Sequence, residues 1–340
     1  MALRACRQHL KHGLWFMEVP ADEQLALESQ VDQWVMDGIL RDMEHRADLV
    51  VLESNVIQRA SEVVHAHARD ANVHFQEAGH VYYLHTARGW IQFPISVSGV
   101  WSSYFDRFNA EDILTRHFDA WAQNPSSKYW GQIREMRERN VPDEFIKGRI
   151  QKSWADAGVI ASSQGTRMHR EIEFALRGEP FQHNLPELRV FQRFVQEWLE
   201  PRRWVMRRVE WTIYEEQVMV AGQIDAVFQD ASGALHMLDW KRTKHSLDSG
   251  AKSEFGRYGH GACSHLVDNE YHHYALQQNL YSAILGRNYG IRLASMSLVQ
   301  IHPDYATYTV VAVPAWPTLA HELLDACGRG CMPRGDRSQL

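Results

Sequence analysis

Three stretches in immediate succession constrain this chain more than anything else in it: "WVMRRVEWTIYEE" (204–216), "VMVAGQIDAVFQD" (218–230) and "ALHMLDWKRTK" (234–244). Each is strand-length, rich in β-branched and aromatic residues, and close to a period of two. "DASG" (230–233) is a turn signal between the second and third, so the three are expected to form a meander at the centre of a sheet. "SMSLVQIHP" and "TYTVVAVP" read as closing strands, and "YHHYALQQNLYSAILG" as a helix before them. Helical periodicity dominates 106–160, with breaks at "NPSSKYWG" and "NVPDE". A further helix, "SSQGTRMHREIEFALRG", is expected to end at Gly178, and "ELRVFQRFVQEWLEPRR" near Pro201. The glycine- and histidine-rich stretch 249–265 is expected to be a mobile loop. The fold class expected is α/β, a central mixed β-sheet flanked by helices.

Upstream, Leu25, Val31, Trp34, Val35, Ile39 and Met43 space out one apolar face over a polar stretch from Ala21 to about Asp70. Residues 1–72 are therefore read as a helical N-terminal extension, 73–318 as the core and 319–340 as a C-terminal tail. The core opens on "HFQEAGHVYYLHTARGWIQFPISVS", patterned as a hairpin, after which Ser98 is the candidate N-cap of a short helix.

Net charge is −6, from 36 Lys plus Arg against 42 Asp plus Glu, so no global field draws the chain to a polyanion and local patches or metal ions must do so. The 4 cysteines, at positions 6, 263, 327 and 331, are too few and too irregular for a disulfide framework, which points to an intracellular, reducing compartment. No apolar run reaches the ~20 residues needed to cross a bilayer, so no membrane partner is expected.

The third strand carries the chemistry. Side chains alternate along a strand, so Asp239 and Lys241 point the same way. Asp225, a hairpin's length upstream, can lie beside Asp239, and two adjacent carboxylates call for a positive group between them, for which a divalent metal is the usual solution. His169 and Glu173 are four apart on the preceding helix and project together. A cluster of one imidazole and oxygen ligands suits Mg²⁺ or Mn²⁺ better than structural zinc. Such an ion can activate water and stabilise charge on a phosphate during in-line displacement. Leu235, Met237, Leu238 and Trp240 imply a buried strand, where charges without partners are costly, so an exposed ion pair is the weaker reading of Asp239 and Lys241.

"GTRMHREIE" (165–173), "AGQIDAVF" (221–228), "LDWKRT" (238–243) and "QQNLY" (277–281), in that order and preceded by "SVSGVWSSYF" (96–105), resemble the PD-(D/E)XK nucleases. The resemblance is to the RecB-like exonuclease branch, including the mitochondrial genome maintenance exonuclease and large-DNA-virus homologues. It spans His80 to Pro314 and implies a restriction-endonuclease-like core. It further implies His169, Asp225, Asp239 and the backbone carbonyl of Trp240 as metal ligands, with Glu173 assisting through the water shell and Lys241 as catalytic lysine. Gln277 and Tyr281 match the branch's Gln-x-x-x-Tyr pair that holds the active site and the strand, and Ser96 and Ser98 are similar to phosphate contacts.

The implied activity is metal-dependent hydrolysis of DNA, as an exonuclease on ends or single-stranded tails. A structure-specific endonuclease, an RNA nuclease and a catalytically silent DNA-end-binding subunit are the alternatives. A zinc site among His260, Cys263, His265, His272 and His273 matches no standard spacing, and an iron–sulfur cluster lacks a third late cysteine. Arg202, Arg203, Arg207, Arg208, Arg242 and Lys244 are expected as a phosphate-gripping rim.

Overall fold

The computed structural model describes residues 49–57, 65–77, 79–251, 253 and 256–332. Met1–Val50 forms one unit, of which Leu49 and Val50 are described, and Val51–Leu340 forms the other, to which everything below refers. The helical extension expected over 1–72 lies mostly outside the described residues. Within them, 51–57 holds no helix and Ala68–Asn72 is a single 3-10 turn.

A three-stranded antiparallel sheet comes first, β1 (Val73–Gln76), β2 (Val81–Thr86) and β3 (Gly89–Gln92), so the expected hairpin acquires a third strand. The two-residue β4 (Ile95–Ser96) leads into α1 (Val97–Ser102). Ser96, not Ser98, is the N-cap: its Oγ accepts from Gly99 N at 3.1 Å. The cap falls there because Ser96 still has extended backbone while Ser98 is already inside the helix.

Helices α2 (Ala110–Gln123), α3 (Trp130–Glu138) and the amino-terminal third of α4 (Asp143–Arg177) pack around Leu114, Phe118, Ile133, Ile146 and Ile150. The sequence suggests two helices where α4 runs unbroken for 35 residues, roughly 50 Å at 1.5 Å per residue. Gly158 and Gly165 each cost about 1 kcal/mol in a helix interior but remove no hydrogen bond, so they weaken the helix without ending it. Residues 155–163 are exposed throughout, whereas Met168, Ile172, Ala175 and Leu176 bury one stripe at the far end. Gly178, at φ 71°, closes the helix in the left-handed conformation.

After α5 (Pro186–Phe194) come β5 (Val205–Glu215), β6 (Val220–Gln229) and β7 (Leu235–Lys241), the expected antiparallel meander. Helix α6 (Glu270–Ile284) crosses back, so β8 (Leu293–Gln300) lies parallel to β7, and β9 (Thr309–Val313) closes antiparallel to β8 before α7 (Pro317–Gly328). The result is a six-stranded mixed sheet. Val97, Val100, Leu276, Leu280, Leu323 and Leu324 cover one face through Ile213, Ile224 and Leu298. On the other face Trp240 meets the rings of Phe191 and Phe194 edge-on. The chain is thus α/β, a mixed sheet flanked by helices. Among the described residues no helix is long and apolar enough to cross a membrane.

Strand β6 is what positions the site. One edge pairs with β5 along nearly its whole length, while the other pairs with β4 at Val220 and Ala221 and with β7 only from Ala226 onward. Residues 222–225 lie in the gap between those two partners. A backbone edge left open inside a protein needs other partners, and on the facing β7 edge the Asp225 side chain supplies one to Trp240 N.

Candidate metal centre

Asp225 sits where β6 and β7 part. Its Oδ2 accepts from Trp240 N at 2.7 Å, a bond that substitutes for the ladder and fixes the carboxylate between Asp239 and Lys241. Beyond Ala226↔Leu238 the β6–β7 pairing ends, yet β7 continues along β8 through Leu298↔Asp239 and Gln300↔Lys241, so the D-x-K segment stays rigid while one edge opens.

His169 reaches this gap from α4. Its Nδ1 stands 3.5 Å from Asp225 Oδ2 and 3.8 Å from Glu210 Oε1, a residue of β5 directly across from Asp225. Among the described residues, His169, Glu210 and Asp225 are the set whose ligand atoms all lie within 4.8 Å of one another. Glu173 is engaged one turn further on by Arg177. The third member of the cluster is therefore Glu210, which the sequence pattern does not single out.

Lys241 lies on the α6 side. Its Nζ is 2.7 Å from Asp239 Oδ2, donates to Gln277 Oε1 at 3.1 Å and sits 4.2 Å above the centroid of the Tyr274 ring. Gln277 Nε2 in turn donates to Tyr281 OH at 3.1 Å, so the Gln-x-x-x-Tyr pair forms one chain ending at the lysine. Tyr281 packs against β6 because residue 222 is glycine: a Cβ there would come within 2.6 Å of Tyr281 Cε1 and 3.0 Å of Val97 Cγ2. Ser96 and Ser98, whose hydroxyls are 2.9 Å apart, stand beside Val97 at the head of α1.

The electrostatics follow from burial. Asp239, with 3% of its side chain exposed, is pushed up to about 6 by desolvation and by Asp225, against the pull of Lys241. Desolvation also raises Asp225, with His169 opposing and Glu210 adding. Burial would pull His169 down, but Asp225 and Glu210 outweigh it and bring the imidazole up to about 9. Burial likewise works against the Lys241 ammonium, and Asp239 with Asp225 more than offset it. Three carboxylates thus face one lysine and one imidazole, a surplus of negative charge in a desolvated gap. Glu210 Oε1 is buried there without a hydrogen-bond partner. One imidazole, several carboxylate oxygens and an orphaned acceptor fit a hard divalent cation.

Of the arginines expected to form a rim, two face inward. Arg242 Nε bonds Glu187 Oε1 at 2.7 Å, with 12% and 4% of the side chains exposed, and Arg208 Nη1 bonds Asp70 Oδ2 at 2.8 Å. Arg207 contacts His65, Lys244 pairs with Asp304, and Arg202 lies over the Trp198 ring.

No family model and no curated protein matches the chain. Among solved structures it is similar to the crystal structure of SSO0001, at 13% sequence identity and a TM-score of 0.25, covering 68% of this chain and 88% of that one. Similarity at that level leaves the functional reading to the site's own chemistry.

Proposed function

We propose that the protein is a metal-dependent nuclease with a restriction-endonuclease-like core, hydrolysing phosphodiester bonds of DNA as an exonuclease on ends or single-stranded tails. The observation that carries this reading is the meeting of His169 and Asp225 at 3.5 Å, with Asp225 bound to the backbone between Asp239 and Lys241. Four residues drawn from a helix and two strands converge where the sheet edge opens. The ordered motifs of the PD-(D/E)XK resemblance fall on those same residues.

His169, Asp225, Asp239 and the Trp240 carbonyl would hold Mg²⁺ or Mn²⁺. Such an ion supplies Lewis-acid polarisation of the scissile phosphate and a lowered pKa for attacking water. The protein's own groups do the rest. Asp239 keeps Lys241 protonated, so the ammonium orients the water and offsets charge growing on the phosphate. Gln277 holds the lysine over the gap, and Tyr281 holds Gln277.

The test incubates labelled linear single- and double-stranded DNA, closed circles and RNA with Mg²⁺ or Mn²⁺, beside Lys241→Ala. The proposal expects linear DNA to be degraded, EDTA to stop the reaction, and Lys241→Ala to bind DNA without cutting it. Cutting of closed circles would make the enzyme an endonuclease, and preference for RNA would change the substrate. Absence of cleavage with DNA binding intact would leave a silent end-binding subunit.

A further inference from the structure

Glu210 has three properties that ordinary packing leaves unexplained. It stands at φ 46° inside β5, the left-handed region in which a residue with a Cβ is strained. Its Oε1 is buried with no hydrogen-bond partner. Its carboxylate also faces that of Asp225 within 4.8 Å, where like charges repel. Glycine would suit the backbone better, and the one cationic group facing the carboxylate, among the described residues, is the His169 imidazole that it shares with Asp225.

The neighbouring structure nevertheless holds Glu210 in this conformation. Gln223 Nε2 donates to its carbonyl oxygen at 3.1 Å. Asp70 accepts from Arg208 Nη1 at 2.8 Å and from Trp211 Nε1 at 2.9 Å, one residue on each side of the strained position. Residues three apart on a regular strand face opposite ways, yet both reach this one carboxylate, from either side of the residue with positive φ. The Arg208 guanidinium also lies 4.4 Å over the Trp211 ring, which locks the pair together. The resulting clamp runs from the 3-10 turn before β1 to the strand beside the site.

We propose that Glu210 is a ligand of the same divalent cation as His169 and Asp225, and that Asp70, Arg208, Trp211 and Gln223 are positioning residues that aim its carboxylate. The inference rests on the metal-dependent reading above. A cation in the gap turns each misfit into a contact: the orphaned oxygen gains a partner and the repulsion with Asp225 is neutralised. Glu210 thereby takes the place that helix spacing suggests for Glu173, whose carboxylate Arg177 engages.

The test measures Mn²⁺ binding by titration calorimetry on the full chain, together with melting in EDTA, for the parent, Glu210→Gly, Glu210→Gln, Glu173→Gln and Asp225→Asn. Glu210→Gly should melt close to the parent in EDTA, because the strain and the repulsion with Asp225 that it removes offset the lost attraction to His169. It should bind Mn²⁺ at least tenfold more weakly. Glu210→Gln, which keeps the side chain's shape, should lose affinity to a similar degree and decides the matter if the glycine variant does not fold. Glu173→Gln should lose less affinity than Glu210→Gln. Glu210→Gln binding within twofold of the parent, while Asp225→Asn abolishes binding, would overturn the role of Glu210 and leave the nuclease reading standing. A parent that binds no Mn²⁺ would sink the nuclease reading itself.

Discussion

Replacing Lys241 by methionine removes the ammonium paired with Asp239 while keeping most of the side chain's volume. Asp239 has 3% of its side chain exposed, Lys241 13%, and their charged atoms are 2.7 Å apart. Removing one partner of such a buried pair costs about 3–5 kcal/mol when the remaining charge cannot escape. Here it can, by taking a proton. Asp239 already sits at about 6 with the lysine present, above its usual 3.8, so its proton-linked contribution to stability is full below 3.8 and is lost as pH rises through about 6. Without Lys241 the carboxyl moves higher still, and the loss grows across the neutral range. Melts in EDTA should show a small deficit for Lys241→Met at pH 5 and one of about 3 kcal/mol at pH 8, or roughly 6–10 °C for a domain of this size. Saturating Mn²⁺ should shrink the pH 8 deficit by restoring positive charge to the gap. A deficit independent of pH, or none at pH 8, would refute a desolvated Asp239–Lys241 pair.

Cation uptake should release protons, because His169 is held up to about 9 and Asp239 to about 6. Mn²⁺ affinity should therefore rise from pH 6 to pH 9, measured by calorimetry in two buffers of different ionisation heat, and a flat profile would contradict it. Over the same window the metal-free protein should lose stability, since a raised His169 stabilises fully below 6.5 and ceases to do so as pH passes about 9. Gly222→Ala should lower the thermal midpoint, at a cost of about 1–3 kcal/mol for forcing a Cβ against Tyr281 and Val97, and should reduce activity by shifting the Tyr281–Gln277–Lys241 chain. Arg242→Leu should cost about 3–5 kcal/mol by stranding Glu187 and leave the salt dependence of DNA binding unchanged; a shallower salt slope would restore Arg242 to the phosphate grip.

What could be read from the sequence depended on whether a signal was local. The meander was legible because its three strands alternate and "DASG" turns them; its register stops at Ala226 and Leu238, one residue short of Asp225 and Asp239, and the Trp240 N–H to Asp225 bond continues it. His169 was legible through its helix and the order of motifs, and the structure brings it to Asp225. Glu210 was not, because a glutamate within "RRVEWT" looks like any solvent-facing residue of a strand. Its positive φ lies between residues that Asp70, 140 positions upstream, holds, and its carbonyl is one that Gln223 bonds, and neither tie leaves a mark near position 210. Tyr274 escaped notice for a related reason: in an aromatic-rich helix nothing distinguishes the ring beneath Lys241 from the rings that fill the core. The arginines show the converse error. Arg208 and Arg242 look like a basic rim in one dimension, and in three they pair with Asp70 and Glu187 from distant elements.

The most direct test of the account is anomalous scattering from a crystal soaked in Mn²⁺. A peak is expected in the gap between β6 and β7, within coordination distance of His169, Asp225 and Asp239. A peak elsewhere, with that gap holding only solvent, would contradict it.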